Sequence, residues 1–178
     1  RHGGLSNAGL ILEGAIVVMI SHAFVSSAMF AGVGFIYDRM HTRQLADFGG
    51  IVNTMPIFAS FFMLFAMANA GLPGTSGFVG EFMVILGSIK AGFWVAFWAA
   101  TTLIIGAAYT LWMYKRVIFG PVANKKVAAL KDISGFELSA YVLLAIMVIA
   151  LGVYPKPMLE FVHQTVSHTL ALADKSKL

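Results

Sequence analysis

Apolar residues fill four long blocks of this chain, at residues 14–37, 54–90, 93–118 and 136–154, separated by short polar loops. The blocks are unbroken and lack the period-two alternation of a barrel strand, so helices are expected. A membrane-crossing helix needs about 20 residues at roughly 1.5 Å rise each. Residues 54–90 are too many for one straight crossing and too few for two. The run Leu72-Pro73-Gly74-Thr75-Ser76-Gly77 interrupts them. After Pro155 and Pro157, the residues Leu159, Val162, Val166, Leu170 and Ala173 recur at helical spacing. They predict a short amphipathic helix over 158–173, lying on the membrane surface. The predicted fold is an all-α integral membrane bundle in a single transmembrane domain. It has four spans, the second one discontinuous and broken at 72–77, and a short C-terminal amphipathic helix.

Composition strengthens this reading. The chain is 59% hydrophobic and 11% charged, with a mean hydropathy of +0.84; soluble domains carry about 25% charged residues. With no cysteine, disulfides, thiolate-held iron–sulfur clusters and Cys-based zinc sites are excluded from these 178 residues. The net charge of +4 sits in loops, which points to membrane topology and not to nucleic acid. Arg39 and Arg43 follow the first block, while Lys115, Arg116, Lys125, Lys126 and Lys131 follow the third. Lys90 alone separates the second from the third. The positive-inside rule puts both basic loops in the cytoplasm. Residues 54–90 then make one net crossing and the C-terminus ends outside. Trp94 and Trp98 near one end of the third block, and Trp112 and Tyr114 near the other, fit interfacial belts. The sequence starts at Arg1 without a methionine, so a longer protein is expected to precede it. No phosphate loop, metal-ligand cluster or nucleophile triad is present.

Glu81 is the leading candidate for chemistry. It lies just past the interruption in an otherwise apolar run, where a charge costs about 2.5–3.5 kcal/mol on insertion scales and so usually serves a function. Burial favours its neutral form, and the positive end of a half-helix starting near Ser76 favours the carboxylate. A group held between opposed influences can take up and release a proton when its surroundings change. The bland alternative is a glutamate that only pairs with another helix. His22 lies in the middle of the first block with Ser26 one turn on, and an imidazole can relay protons near neutral pH. It could equally be a neutral interhelical hydrogen-bonding group. Pro73, Gly74, Thr75, Ser76 and Gly77 free backbone groups, which membranes tolerate where the chain lines a polar cavity. A simple kink is the alternative. Asn69 precedes the interruption and can bond neighbouring backbone. Asp38, Arg39, Lys90 and the methionines and phenylalanines read as topology or filling.

Residues 14–30 (GAIVVMISHAFVSSAMF), 37–50 (YDRMHTRQLADFGG), 72–82 (LPGTSGFVGEF) and 114–120 (YKRVIFG) together closely resemble the subunit M (chain 4) family of proton-pumping NADH-quinone oxidoreductase, respiratory complex I. The resemblance covers residues 13–160, and residues 1–12 read as a divergent loop. It implies the last four of fourteen helices of an antiporter-like subunit, with the broken span as helix twelve. It makes Glu81 the terminal ionisable residue of a proton path and His22 part of the central polar axis. Related subunits and antiporters usually carry lysine where Glu81 stands. The resemblance also implies that NADH, flavin, iron–sulfur clusters and quinone belong to partner subunits, with no cofactor, metal or catalytic centre in this chain. Its expected partners are the bilayer and the other membrane-arm subunits, especially neighbouring antiporter-like ones, in a bacterial inner membrane. The family's earlier glutamate and lysines have no counterpart here, so these residues are expected to carry only the exit side of the path. Rival readings are a multisubunit cation/proton antiporter subunit, a hydrogenase-like membrane complex and a purely structural assembly protein.

Overall fold

The computed structural model describes residues 5–175, and every regular element among them is helical. In chain order these are α1 (Leu5–Met40), α2 (Pro56–Asn69), α3 (Ser76–Ile89), α4 (Phe93–Val117), α5 (Lys125–Ala128), α6 (Gly135–Val153) and α7 (Lys156–Lys175). Two 3₁₀ turns, Leu45–Asp47 and Ile51–Asn53, link α1 to α2. The stretches Asn7–Met40, Phe93–Val117 and Gly135–Val153 are each long and apolar enough to cross a bilayer. The chain is an all-α integral membrane protein.

α2 and α3 have 14 residues each, about 21 Å of helix apiece, which falls short of a hydrocarbon core of about 30 Å. They lie one after the other along α1 and run against it. Phe62 of α2 packs at Gly32, Ser76 of α3 meets Ser21, Gly80 meets Gly14 and Val18, and Gly87 meets Ile11 and Asn7. The two half-helices thus form one interrupted crossing. Their contact with α1 is made by small residues, which let backbones approach where lipid supplies no hydrophobic drive for helix pairing. A Cβ on Gly80 would fall 2.7 Å from Gly14 O and 2.7 Å from Val18 N.

The interruption begins and ends earlier than the sequence suggests, at Ala70 and Thr75. Ser76 and Gly77 already belong to α3. A helix's first N–H groups need no intrahelical acceptor, so its opening turn accommodates these poor helix formers. α1 also starts earlier, at Leu5 in place of residue 14. Residues 5–12 form a helix and not a divergent loop, because Ile11 packs against Gly87 of α3 and Gly9 against Leu170 of α7. Residues 1–4 of that expected loop lie outside the described residues. α7 is longer than 158–173 and packs against α1, burying Val162 and Val166. Pro155 and Pro157 flank its first residue, where a missing N–H costs nothing.

The best-packed region is aromatic. Tyr141 of α6 is fully buried among Phe35, Phe58, Phe61 and Phe65, with ring centroids 5.1–6.1 Å apart. The Tyr114 hydroxyl of α4 donates to Ala59 O at 2.8 Å. Polar ties close the same end of the bundle. Arg39 holds Glu137 through two bonds of 2.9 and 2.6 Å and donates to Phe35 O and Lys131 O. Asp132 accepts from the N–H groups of Ile57 (2.7 Å) and Phe58 (3.0 Å), capping α2 from a distant loop.

Candidate functional site

The site is built by the way α2 stops. Gly71 is left-handed (φ 77°), its N–H donates to Ala68 O at 3.2 Å, and the Leu72 N–H donates to Met67 O at 3.0 Å. This pair of bonds is a Schellman ending, which satisfies carbonyls that would otherwise be orphaned. Pro73 follows, exposed, and cannot continue the helix. Gly74 turns the chain at φ 90°. The buried Thr75 hydroxyl donates back to Leu72 O at 2.7 Å and does not cap α3. Ser76, 1% exposed, shares a 2.7 Å hydrogen bond with Ser21 of α1. Gly77 lies so close to Ala68 O that a side chain has no room. Gly152 of α6 is equally tight against Gly74 O and Thr75. The interruption is therefore a packed turn held by α1, α2 and α6.

Glu81 occupies the second turn of α3. Side chains on a helix lean toward its N-terminus, which carries this carboxylate back to the turn: Oε2 lies 2.5 Å from where a Cβ on Gly71 would be. Leu103 of α4 forms the other wall, 2.9 Å from the same point. Oε2 is buried and has no hydrogen-bond partner among the described residues. A carboxyl oxygen enclosed this way is a costly arrangement to keep for packing alone. A side chain at Gly71 would take the space that Oε2 fills.

His22 and Ser26 do not reach this pocket. From Gly14 on, the buried face of α1 is Gly14, Val17, Ser21, Val25, Ala28, Gly32, Ile36 and Met40, a 3.6-residue stripe. His22 lies off that stripe and is exposed on α1, and Ser26 is half-buried beside it. No hydrogen bond joins His22 to Glu81 among the described residues. The serine that meets the interruption is Ser21, which sequence reasoning passed over, although the same stripe of small residues could have marked it. Gly71 was also missed, although a glycine two residues before a proline is a helix-stop signal. Asn69 bonds Thr110 Oγ1 of α4 at 3.4 Å in place of neighbouring backbone. Thr110 is 1% exposed, so a second polar contact lies on the α2 side of the turn. No cluster of three or more metal-ligating side chains occurs among the described residues.

Residues 3–106 match the family described as NADH:quinone oxidoreductase/Mrp antiporter, transmembrane (TM). The chain belongs to that family. The match takes in residues 3–12, part of the 1–12 segment that the sequence reading left outside the resemblance. NADH-quinone oxidoreductase subunit M of Rhodobacter capsulatus is 47% identical over 157 residues, 88% of this chain and 31% of the relative. Respiratory complex I from Thermus thermophilus with bound NADH contains a chain that superposes with a TM-score of 0.84. That chain is 26% identical, and the match covers 92% of this chain and 34% of that one. The Mrp complex from Dietzia sp. DQ12-45-1b gives a TM-score of 0.74 at 21% identity, covering 88% of this chain and 37% of that one, a likeness of fold. The chain spans about a third of the length of the curated relatives it matches. Within the antiporter family fold, the helix interruption is where Glu81 is held.

Proposed function

We propose that this chain is part of a proton-translocating membrane-arm subunit of NADH:quinone oxidoreductase, respiratory complex I, and carries the terminal part of a proton path. The observation that carries this reading is the buried, unpartnered Oε2 of Glu81, set against the Gly71 turn of an interrupted span. An isolated carboxyl in such a pocket exchanges its proton when water or a cation reaches it. His22 is exposed on α1, open to helices of the longer protein, from which it would pass protons toward Glu81 through water. NADH oxidation and quinone reduction belong to partner subunits that hold flavin, iron–sulfur clusters and quinone. This chain contributes no redox centre. Its partners are neighbouring antiporter-like membrane-arm subunits in a bacterial inner membrane, with the basic loops cytoplasmic and the C-terminus on the outer side.

The rival assignment to a cation/proton antiporter subunit is disfavoured by an acid at position 81, where the resemblance leads one to expect lysine; a hydrogenase-like membrane complex is told apart by the partner subunits that co-purify. The deciding experiment is Glu81→Gln in the full-length protein. NADH-driven proton uptake into vesicles should fall at least tenfold while the complex still assembles. Undiminished uptake would reject Glu81 as a proton carrier. Loss of assembly would assign it a structural role.

A further inference from the structure

At the far end of the bundle from Glu81, the end of α1, α5 and the loop before α6 enclose a cleft of about 600 Å³. Its lining includes Arg39, His41, Lys126, Lys131 and Asp132. We propose that this cleft binds the phosphodiester headgroup of an anionic phospholipid, with Lys126 and Lys131 as its ligands.

The argument starts from which charges are already used. Arg39 is committed to Glu137 and to two backbone carbonyls. The one acid of the lining, Asp132, is committed to the N–H groups of Ile57, Phe58 and Ile133. Lys126 and Lys131 make no ion pair among the described residues. The wall facing the cleft is therefore net cationic, with its acid turned to the backbone. The backbone that bears Lys126 is also fixed. Asn124 caps α5 through the N–H groups of Lys126 and Val127 and donates to Asp47 O, which fixes the short helix that bears Lys126.

The surroundings select a lipid over a free anion. Met40, Ala129 and Leu130 give the cleft an apolar floor suited to a glycerol backbone. The cleft opens where the membrane-spanning α1 ends and α6 begins. Phe136, 84% exposed, stands in the first turn of α6 two residues past Ser134 of the cleft, and Leu143 and Ile146 farther along α6 are also exposed, apolar side chains open to acyl chains. Basic pockets between transmembrane helices at the bilayer interface recognise such headgroups, at about fivefold in affinity per lysine.

The test uses the full-length protein solubilised with its native associates and exchanged into phosphatidylcholine vesicles containing phosphatidylglycerol. Retained lipid is counted by native mass spectrometry. Lys126→Gln with Lys131→Gln should weaken phosphatidylglycerol retention about 25-fold. Lys126→Arg with Lys131→Arg should preserve it, as should Lys125→Gln, whose side chain lies outside the cleft. Excess inorganic phosphate should leave it unchanged. Equal retention by the double glutamine variant would overturn the proposal. Displacement by inorganic phosphate, with no preference for phosphatidylglycerol over phosphatidylcholine, would overturn it in favour of a free-anion site.

Discussion

The two halves of the interrupted span solve different problems. α2 is fixed by satisfied polar groups and interlocked rings. Asp132 caps its start, a Schellman turn closes its end, and Phe58, Phe62 and Phe65 are all buried. α3 has no side-chain cap; it lies on α1 through Ser76, Gly80 and Gly87 and carries a carboxyl oxygen without a partner among the described residues. One half anchors the bundle. The other gains backbone proximity to α1 and keeps one oxygen of an ionisable group enclosed. In lipid, glycine contacts and polar ties must replace the hydrophobic collapse that would hold such halves together in water.

The difference is most severely tested at Gly80. A leucine there must push Gly14 O and the Val18 backbone, which cannot yield as a flexible side chain would. We expect Gly80→Leu to destabilise the α1–α3 contact by about 3 kcal/mol and to reduce accumulation of folded protein in the membrane. Gly34, with nothing within 4 Å of a Cβ, is the control; Gly34→Leu should accumulate normally. Equal levels of the two variants would show that α3 is free to shift away from α1.

Much of this division is written in the chain. Four apolar blocks, the Pro73-Gly74 signal and an isolated Glu81 are sufficient to read a discontinuous span with one acidic group beside its interruption, because length and polarity in a bilayer leave few alternatives. What was not legible depended on which face each helix buries. His22 and Ser21 are adjacent in sequence, and only the small-residue stripe separates the packed serine from the exposed histidine. The real stop at Gly71 was masked by the louder Pro73. The Asp132 cap joins residues some 75 positions apart, a distance over which local sequence carries no signal. The tie between Arg39 and Glu137 is of the same kind.

That long-range cap gives a milder test on the α2 side. Asp132→Ala leaves the first-turn N–H groups of Ile57 and Phe58 without their acceptors. We expect a loss of about 1–2 kcal/mol, read as a lower midpoint in a detergent unfolding titration. Asp132→Asn keeps one acceptor oxygen and should fall between the two. If alanine and asparagine behave like the wild type, α2 is held by its rings alone.

The smallest effects come from two tyrosines in the aromatic cluster, and they separate partnered from unpartnered oxygen. The Tyr114 hydroxyl donates to Ala59 O, so Tyr114→Phe should cost about 1 kcal/mol. The Tyr141 hydroxyl is buried without a partner and crowds Gly32, where a Cβ could not fit beside it. Its desolvation is uncompensated, so Tyr141→Phe should leave stability unchanged or raise it by up to about 1 kcal/mol. The sign difference between these two substitutions, measured in one unfolding titration, is the test. A loss for Tyr141→Phe as large as for Tyr114→Phe would mean that the phenol is satisfied in the membrane. It would also weaken the case for treating Glu81 Oε2, the other buried oxygen without a partner among the described residues, as kept for exchange and not for packing.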